Sequence, residues 1–362
     1  MSEPEQAWYP LRLVPELHER VWGGRQLGDI LGVALPDGPV GESWSMGTAN
    51  RVADGPLAGQ MLGALIARDP AATLGRTVLA SGRTDLPLLF KIIDAAELLS
   101  IQVHPDDRYA RTEEGAAFGK SEAWHILAAT PGAYVIHGFS RPVTPAEIRA
   151  GLGDGAITDL LRRVELQAGD TFYVPAGTVH AIGGGLLLAE IQENSDLTYR
   201  LYDWGRPREL HIDRSLAVLH AHPPGFGPSR PLTVAAGSST IAYLVACRYF
   251  VYQALDVAGS LDCDTEGRSF HVLFVQSGSG QIVWDGGSAL LRMGETIFVP
   301  AALRRYQING SGLRLLRAFV PDVLDDVIGP LLEAGHPAAA IAALGGGAGN
   351  ELERAIAPIC NV

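Results

Sequence analysis

Apolar residues in this chain come in short runs broken by glycine, proline and other turn formers, with few of the long three-to-four-residue stripes that mark an amphipathic helix. The run Leu86-Pro-Leu-Leu-Phe-Lys-Ile-Ile predicts a buried strand, and Leu98 to His104, Ser121 to Ala128 and Ala133 to His137 continue the series. Between Val40 and Lys91, strand-like pieces mix with helix-like ones such as Met61 to Ile66. Many short strands predict a barrel or a sandwich. One interruption is helical: Thr144-Pro-Ala-Glu-Ile-Arg-Ala opens on a good N-cap and runs toward Leu160-Leu-Arg-Arg, an insertion over about residues 144–163. Strands resume at Leu166. The tail after Val320 reads as helical from Val323 to Ala334 and is broken by Gly345-Gly-Gly-Ala-Gly, so it is expected to be a flexible appendage or a packing helix.

An internal repeat organises these strands. Gly169-x5-Pro175-x-Gly177-x2-His180 is echoed at identical spacing by Gly294-x5-Pro300-x-Ala302-x2-Arg305, which implies two related barrels. In each copy a glycine turn leads into a strand (Thr171 to Val174, Thr296 to Val299), and a proline-containing corner then delivers the next side chain toward the barrel interior. Only the first copy delivers a histidine. With the glycine- and proline-rich stretch Pro223 to Ser229 as a boundary, the expected division is a catalytic, metal-binding barrel over residues 1–225, a second, metal-free barrel over 226–320 and a helical or flexible extension over 321–362. The fold class is therefore all-β dominated, with helical insertions and a helical C-terminal tail.

Composition narrows the function. At 362 residues, 47% apolar and 19% charged, the chain has ample interior for real hydrophobic cores and no low-complexity character. A formal charge of −12 argues against a nucleic-acid partner, because phosphate backbones demand clustered Lys and Arg. A phosphorylated small molecule stays possible if a few cations converge locally. The cysteines Cys247, Cys263 and Cys360 are odd in number and lack the paired spacing of a thiolate zinc site, which fits a reducing, cytoplasmic setting. The opening Met1-Ser-Glu-Pro-Glu-Gln has no basic stretch leading into an apolar one, and no run approaches membrane-spanning length, so neither secretion nor membrane insertion is expected.

The densest chemistry lies in the first half. Gln102 and His104 are two apart in an extended segment, so both can point into one cavity while Val103 faces away. Glu122 lies in the next strand-like segment and His180 at the corner of a later one. Two imidazoles, a carboxylate and an amide oxygen suit a zinc ion with open positions for water or substrate. Each histidine alone could be an ordinary polar residue at a barrel end; the set of four is what favours a metal.

The repeat spacing resembles the cupin motif, so the two barrels are expected to form a double cupin. Further, Gln102-Val-His-Pro-Asp-Asp-Arg-Tyr-Ala, Gly119-Lys-Ser-Glu-Ala-Trp, Pro175-Ala-Gly-Thr-Val-His-Ala and Glu193-Asn-Ser-Asp-Leu-Thr-Tyr-Arg-Leu-Tyr-Asp resemble type I mannose-6-phosphate isomerase in its shorter bacterial form. Val21-Trp-Gly-Gly and Gly41-Glu-Ser-Trp resemble the same family's N-terminal motifs, and the likeness runs from about Tyr9 to about Phe319. The resemblance implies an enzyme with one Zn2+ per chain that interconverts mannose 6-phosphate and fructose 6-phosphate. It implies Gln102, His104, Glu122 and His180 as the metal ligands, Lys91, Lys120, Glu190 and Arg200 in the substrate site, and Trp22 and Glu42 as substrate-binding. A sugar phosphate is then the partner, with the chain a monomer or homodimer.

An aldose-to-ketose conversion moves a proton between C1 and C2, which needs a base and an electrophile but no redox cofactor. Glu190 is the expected base, although Glu193 and Asp196 are close enough in sequence to compete. Lys120 shares a strand face with Glu122, and Arg200 could fix an enediolate or a phosphate. Arg206 is the stronger candidate for the phosphate and Arg208 the weaker. Ala49-Asn50 stands where the family pattern continues toward His-Pro, and His125 where an aromatic residue is expected; both departures bear on which sugar is selected. Two rival readings remain: a sugar-phosphate sensor without turnover, and a non-haem iron oxygenase built on His104, Asp106 and His180.

Overall fold

The computed structural model describes residues 7–153 and 155–360. The opening segment read above for targeting signals, Met1 to Gln6, lies outside the described residues, as does the side chain of Cys360; Cys247 and Cys263 are buried free thiols.

Three antiparallel sheets carry the fold. A six-stranded sheet runs in the order Glu16–Gly24, Val40–Met46, Leu88–Ala95, Leu186–Glu193, Glu122–Ala129, Thr171–Val174. A five-stranded sheet runs Tyr199–Tyr202, Ile101–Val103, His180–Ile182, Tyr134–Phe139, Leu161–Glu165. The third, nine-stranded, forms the second barrel from Leu232–Ala236 to Arg305–Phe319 and also takes in Leu11–Leu13, which pairs with Thr296–Val299. The N-terminal strand thus joins the later barrel, a long-range pairing that local pattern does not announce.

Every residue of Leu88–Ala95 and of Leu186–Glu193 is buried. The reason is that the six-stranded sheet is covered on both faces. Ile93, Trp124, Leu188 and Phe172 fill the inside of the first barrel, whereas Phe90, Ile92, Ala189 and Ile191 pack outward against Tyr252, Phe274, Phe298 and Leu316 of the second. Alternation on a strand therefore separates barrel interior from inter-barrel contact, and both sides are apolar.

The repeat is seen as two equivalent strands, Thr171–Val174 and Thr296–Val299, each entered from a glycine of positive φ, 93° at Gly169 and 85° at Gly294. They diverge at the corner. Gly177, at φ 85°, makes the turn into His180, and a Cβ there would lie 2.7 Å from the His220 ring, so the position demands glycine. In the second copy Ala301–Leu303 forms a 3-10 turn, and the Arg305 side chain is 93% exposed, 3.7 Å from Asp264.

Thr144 caps Pro145–Leu152 with a complete capping box to Glu147, as its sequence announces. The insertion is shorter than expected: helix ends with Ile157–Leu160, and Leu161–Glu165 is a strand paired with Tyr134–Phe139. Propensity alone would let the helix continue through Leu161 and Arg162, but an open sheet edge beside them wins.

The C-terminal extension packs. Leu324–Ile328, Gly329–Glu333, Ala338–Ala343 and Glu351–Cys360 are helical, and Val327, Leu331, Ile341, Leu344 and Leu352 bury against Tyr243, Val251 and Phe319 of the second barrel. Beyond the glycine break, Gly346 sits where a Cβ would meet Tyr173 and Phe226, so the segment touches the first barrel's side as well. Leu331 is 0% exposed. Leu331→Ala should cost about 2–4 kcal/mol of stability, read as a lower urea midpoint at unchanged slope; an unchanged midpoint would mean the extension contributes little to folding.

Candidate metal centre and cleft

Two rows of cross-strand neighbours face each other inside the first barrel. On the six-stranded sheet, Trp44, Lys91, Glu190, Trp124 and Phe172 stand in register on successive strands. On the five-stranded sheet the row is Arg200, Gln102, His180 and His137. Antiparallel partners project on the same side, so register alone brings side chains from distant sequence positions into one interior.

His104, Glu122 and His180 form a buried group whose ligand atoms all lie within 4.8 Å of one another. His180 Nε2 is 3.2 Å from Glu122 Oε1, His104 Nε2 is 3.5 Å from Oε2, and Gln102 Nε2 is 3.2 Å from His180 Nε2. Each ring is anchored through its other nitrogen: His104 Nδ1 to Leu197 O and His180 Nδ1 to Thr178 O, both at 2.8 Å. A carbonyl only accepts, so both Nδ1 atoms carry the proton and both Nε2 atoms present lone pairs. Burial, followed for His104 by the nearby Lys120 and for His180 by its backbone hydrogen bond acting in the opposite sense, lowers both imidazole pKa values, that of His180 to about 4. The rings are therefore neutral near pH 7 and turn their Nε2 lone pairs toward Glu122.

That arrangement fits a divalent cation. His104 Nε2 and both Glu122 oxygens are buried without a hydrogen-bond partner among the described residues, although Lys120 Nζ stands 3.0 Å from Glu122 Oε2 as an ion pair. A half-turn of the Gln102 amide would present its oxygen in place of its nitrogen. Two neutral imidazoles, a carboxylate and an amide oxygen match the donors expected of a zinc-type site.

Above this group opens a cleft of about 500 Å³ lined in part by Trp22, Glu42, Lys91, Gln102, Lys120, Glu190 and Arg200. Glu190 is nearly fully buried and receives the Trp124 indole N–H at 2.9 Å, with Lys91 Nζ 3.4 Å from its other oxygen. Burial, then the Glu122 charge, raises its pKa against the opposing pull of Lys91 and Lys120. Glu42 goes the other way: burial opposes its ionisation, but Lys91 and Arg20 together hold it at about 2. Lys120, penalised by burial, is kept charged by Glu122 and Glu190, its pKa raised.

The competing carboxylates separate by strand parity. Glu193 follows Glu190 by three and so leaves the barrel interior, where its Oε2 accepts the Ser121 N–H at 3.0 Å and its Oε1 lies 3.8 Å from Arg83. Asp196 lines the cleft but is exposed. Burial and the adjacent Asp107 push the Glu193 pKa from 4.5 up to about 8. The folded chain then holds a proton that the unfolded chain has released, so stability should fall as pH rises from about 4.5 to about 8. Glu193→Gln should flatten that fall and gain on the order of 1–3 kcal/mol over the parent at pH 8, read as Tm against pH. Parallel curves for the two proteins would show that Glu193 is ionised when folded.

Arg206, expected to be the stronger phosphate candidate, is not among the residues that line the cleft. The tight turn at Trp204 and Gly205, with φ 57° and 80°, sends its guanidinium to Leu98 O at 2.6 Å and toward Asp203 at 3.5 Å. Arg208 lines the cleft instead, braced by Asp203 through contacts of 2.6 and 2.7 Å. Arg200 donates to Glu209 O at 2.8 Å, has a buried Nε without a partner, and makes no ion pair among the described residues. Asp106, required by the iron-triad alternative, caps the helix Asp107–Glu113 by accepting from Tyr109 N.

Arg20, Trp44 and Trp124 were not singled out in the sequence, though each stands two residues from a candidate already named, on the same strand face. Arg20 bonds Glu42 at 2.9 Å and Trp44 Nε1 donates to the same oxygen. The two departures lie off the cleft. Asn50 ties Gly47 N, Val14 O and Trp44 O with its amide, and His125, on the opposite face from Trp124, bonds Thr171 Oγ1 at 2.9 Å beside Tyr252 of the second barrel.

Known proteins share this sequence pattern and fold. Residues 11–131 match the catalytic domain of phosphomannose isomerase type I, and residues 239–320 the cupin domain of mannose-6-phosphate isomerase. A mannose-6-phosphate isomerase of Streptococcus mutans is 33% identical over 313 residues, 83% of this chain and 96% of that protein. ManA of Bacillus subtilis, another mannose-6-phosphate isomerase, is 33% identical over 317 residues, 83% of this chain and 96% of its own. The crystal structure of the mannose 6-phosphate isomerase from Bacillus subtilis superposes with a TM-score of 0.76 at 32% identity, covering 85% of this chain and 99% of that one. Sequence, double-barrel fold and relatives thus agree that the chain belongs to the type I phosphomannose isomerase family and is an aldose–ketose isomerase.

Proposed function

We propose that this enzyme interconverts mannose 6-phosphate and fructose 6-phosphate with one zinc ion held by Gln102, His104, Glu122 and His180. The observation that carries the reading is the group of buried, unpartnered ligand atoms at the floor of a cationic cleft that also contains a carboxyl of raised proton affinity. When bound, the ion supplies Lewis-acid stabilisation of charge on the substrate's C1 and C2 oxygens.

The chain's own groups do the rest. Arg200 and Arg208 take the phosphate, supported by their place on the cleft wall in a protein that is acidic overall. Glu190 removes the proton from C2 of the aldose and returns it to C1 while the hydroxyl proton passes from O2 to O1; Trp124 holds one of the Glu190 oxygens and leaves the other toward Lys91. Lys91 and Lys120, both buried, balance the negative charge that develops on the enediolate oxygens. Trp22 and Glu42 shape the entrance, Glu42 also fixing Arg20. The working division into a catalytic barrel ending near residue 225 and a second barrel to residue 320 belongs to the same proposal. So does a cytoplasmic setting, which fits the buried free thiols of Cys247 and Cys263.

Fructose 6-phosphate formed from mannose 6-phosphate, followed by a coupled assay before chelation, after it and after zinc return, tests the reading. Turnover lost on chelation and restored by zinc is expected. A folded, zinc-loaded sample that leaves mannose 6-phosphate unchanged but converts another aldose phosphate would reassign the substrate.

A further inference from the structure

The second barrel contains a polar cavity that the isomerase reading does not use. Tyr243, Gln253 and Arg317 stand in register on three adjoining strands, and Arg317 is only 8% exposed. Its Nε–H is donated to Gln253 Oε1 at 2.8 Å, its NH1 lies 3.5 Å from Cys263 Sγ, and the Phe319 ring is 5.7 Å from its centre. Tyr306 bonds His271 Nδ1 at 2.7 Å on the same interior side. Burial keeps the thiol of Cys263 and the hydroxyl of Tyr306 protonated and the His271 ring neutral. None of these groups supplies a negative charge, and Arg317 makes no ion pair with a carboxylate among the described residues. A buried guanidinium without a counter-charge is a strongly unfavourable element to retain.

Against it opens a cavity of about 200 Å³, whose inner lining includes Tyr243, Gln253, Ser269, His271 and Arg317. The mouth is acidic, and its carboxylates lie against arginines at the rim rather than against Arg317. Arg268 pairs with Glu266, Asp325 and Asp326 at 3.0, 2.8 and 2.9 Å, and Asp264 lies 3.7 Å from Arg305. Arg317 is left as the buried cation. The outer wall, Asp325, Asp326 and Pro330, comes from the C-terminal extension, beyond the end of the cupin match at residue 320, and the Tyr243 hydroxyl is fastened to Asp326 O at 3.1 Å.

We propose that this cavity is a small-anion site in which Arg317 receives one oxyanion, inorganic phosphate or a carboxylate, with His271 Nε2 as a further polar contact, the Tyr243 and Ser269 hydroxyl protons being already donated to Asp326 O and Phe270 O. A planar guanidinium with a fixed fork of N–H groups is suited to either. The site is separate from the catalytic cleft and shares no lining residue with it. Because the extension closes it, occupancy ties that extension to the second barrel.

Phosphate can also enter the cationic catalytic cleft, so position has to be read directly. Crystals of the full chain soaked in sodium bromide should show an anomalous peak beside the Arg317 guanidinium. Bromide peaks in the catalytic cleft with none at Arg317 would overturn the proposal. In solution, inorganic phosphate and acetate, titrated separately at constant ionic strength, should give a saturable rise in Tm of which Arg208→Gln removes only the share bound in the cleft and Arg317→Met removes the rest. A rise kept by Arg317→Met and lost by Arg208→Gln would place all the binding in the cleft and refute the site. Saturation at the lower concentration by phosphate or by acetate tells the two oxyanions apart. If Arg317→Met does not fold, the bromide map of the parent still decides.

Discussion

Alanine at His104 or at His180 is expected to release the bound divalent ion and to lower turnover by about 10³-fold or more, the scale of losing several kcal/mol of charge stabilisation. The expectation rests on His104 Nε2 and the Glu122 oxygens, which have no hydrogen-bond partner among the described residues, and on His180 Nε2, which faces the Gln102 amide. Both Nε2 atoms present lone pairs toward Glu122, and both Nδ1 atoms are spent on backbone carbonyls, so the rings are oriented before any ion arrives. Deleting one ring leaves a buried carboxylate facing a single imidazole, with Lys120 as its remaining close cation. The checking measurement is metal content per chain by elemental analysis, beside the coupled assay and a circular dichroism melt. Full metal stoichiometry in a folded His180→Ala protein would refute the ligand assignment. His137 is the built-in comparison: it pairs with His180 across the strands, but its Nε2 is directed to Tyr173 O at 3.1 Å, so alanine there should leave metal content intact.

Glu190→Gln should separate metal binding from chemistry. The amide keeps the size of the side chain and can still accept the Trp124 N–H, so the fold and the bound ion are expected to persist. It cannot take a proton from carbon, and removing a positioned general base costs about 10²–10⁴-fold in kcat. A KM within a small factor of the parent would place the loss in the proton-transfer step. Normal turnover by the variant would move the base elsewhere, and Asp196, the other carboxylate on the cleft wall apart from Glu42, would be the next to replace. Glu193 is removed from that contest by its position on the outer face of the same strand.

Strand parity explains both what the sequence disclosed about the site and what it hid. Gln102 with His104 and Lys120 with Glu122 are pairs two apart, and their shared orientation could be read without coordinates. The same rule, carried two residues further, reaches Trp124, Trp44 and Arg20, each of which contacts a carboxylate of the cleft. Arg206 and Arg208 lie two apart as well, but in a turn, where parity has no meaning, and only Arg208 lines the cleft. The departures at Asn50 and His125 looked like changes in selectivity because sequence position was known and direction was not; both point away from the cleft.

By itself the sequence determined the all-β class, the doubled strand-and-corner unit and the family, and it brought the proposed ligand residues into view, because glycine turns, side-chain alternation and residue identity are local properties. Tertiary structure alone decided that Leu11–Leu13 joins the second barrel, that the extension packs across it, which arginines face the cleft, and that Arg317 is buried against a cavity with no carboxylate paired to it among the described residues. These outcomes depend on which distant strands pair and in what register, and register is set by the summed burial of whole sheet faces, a quantity that no short window of residues contains.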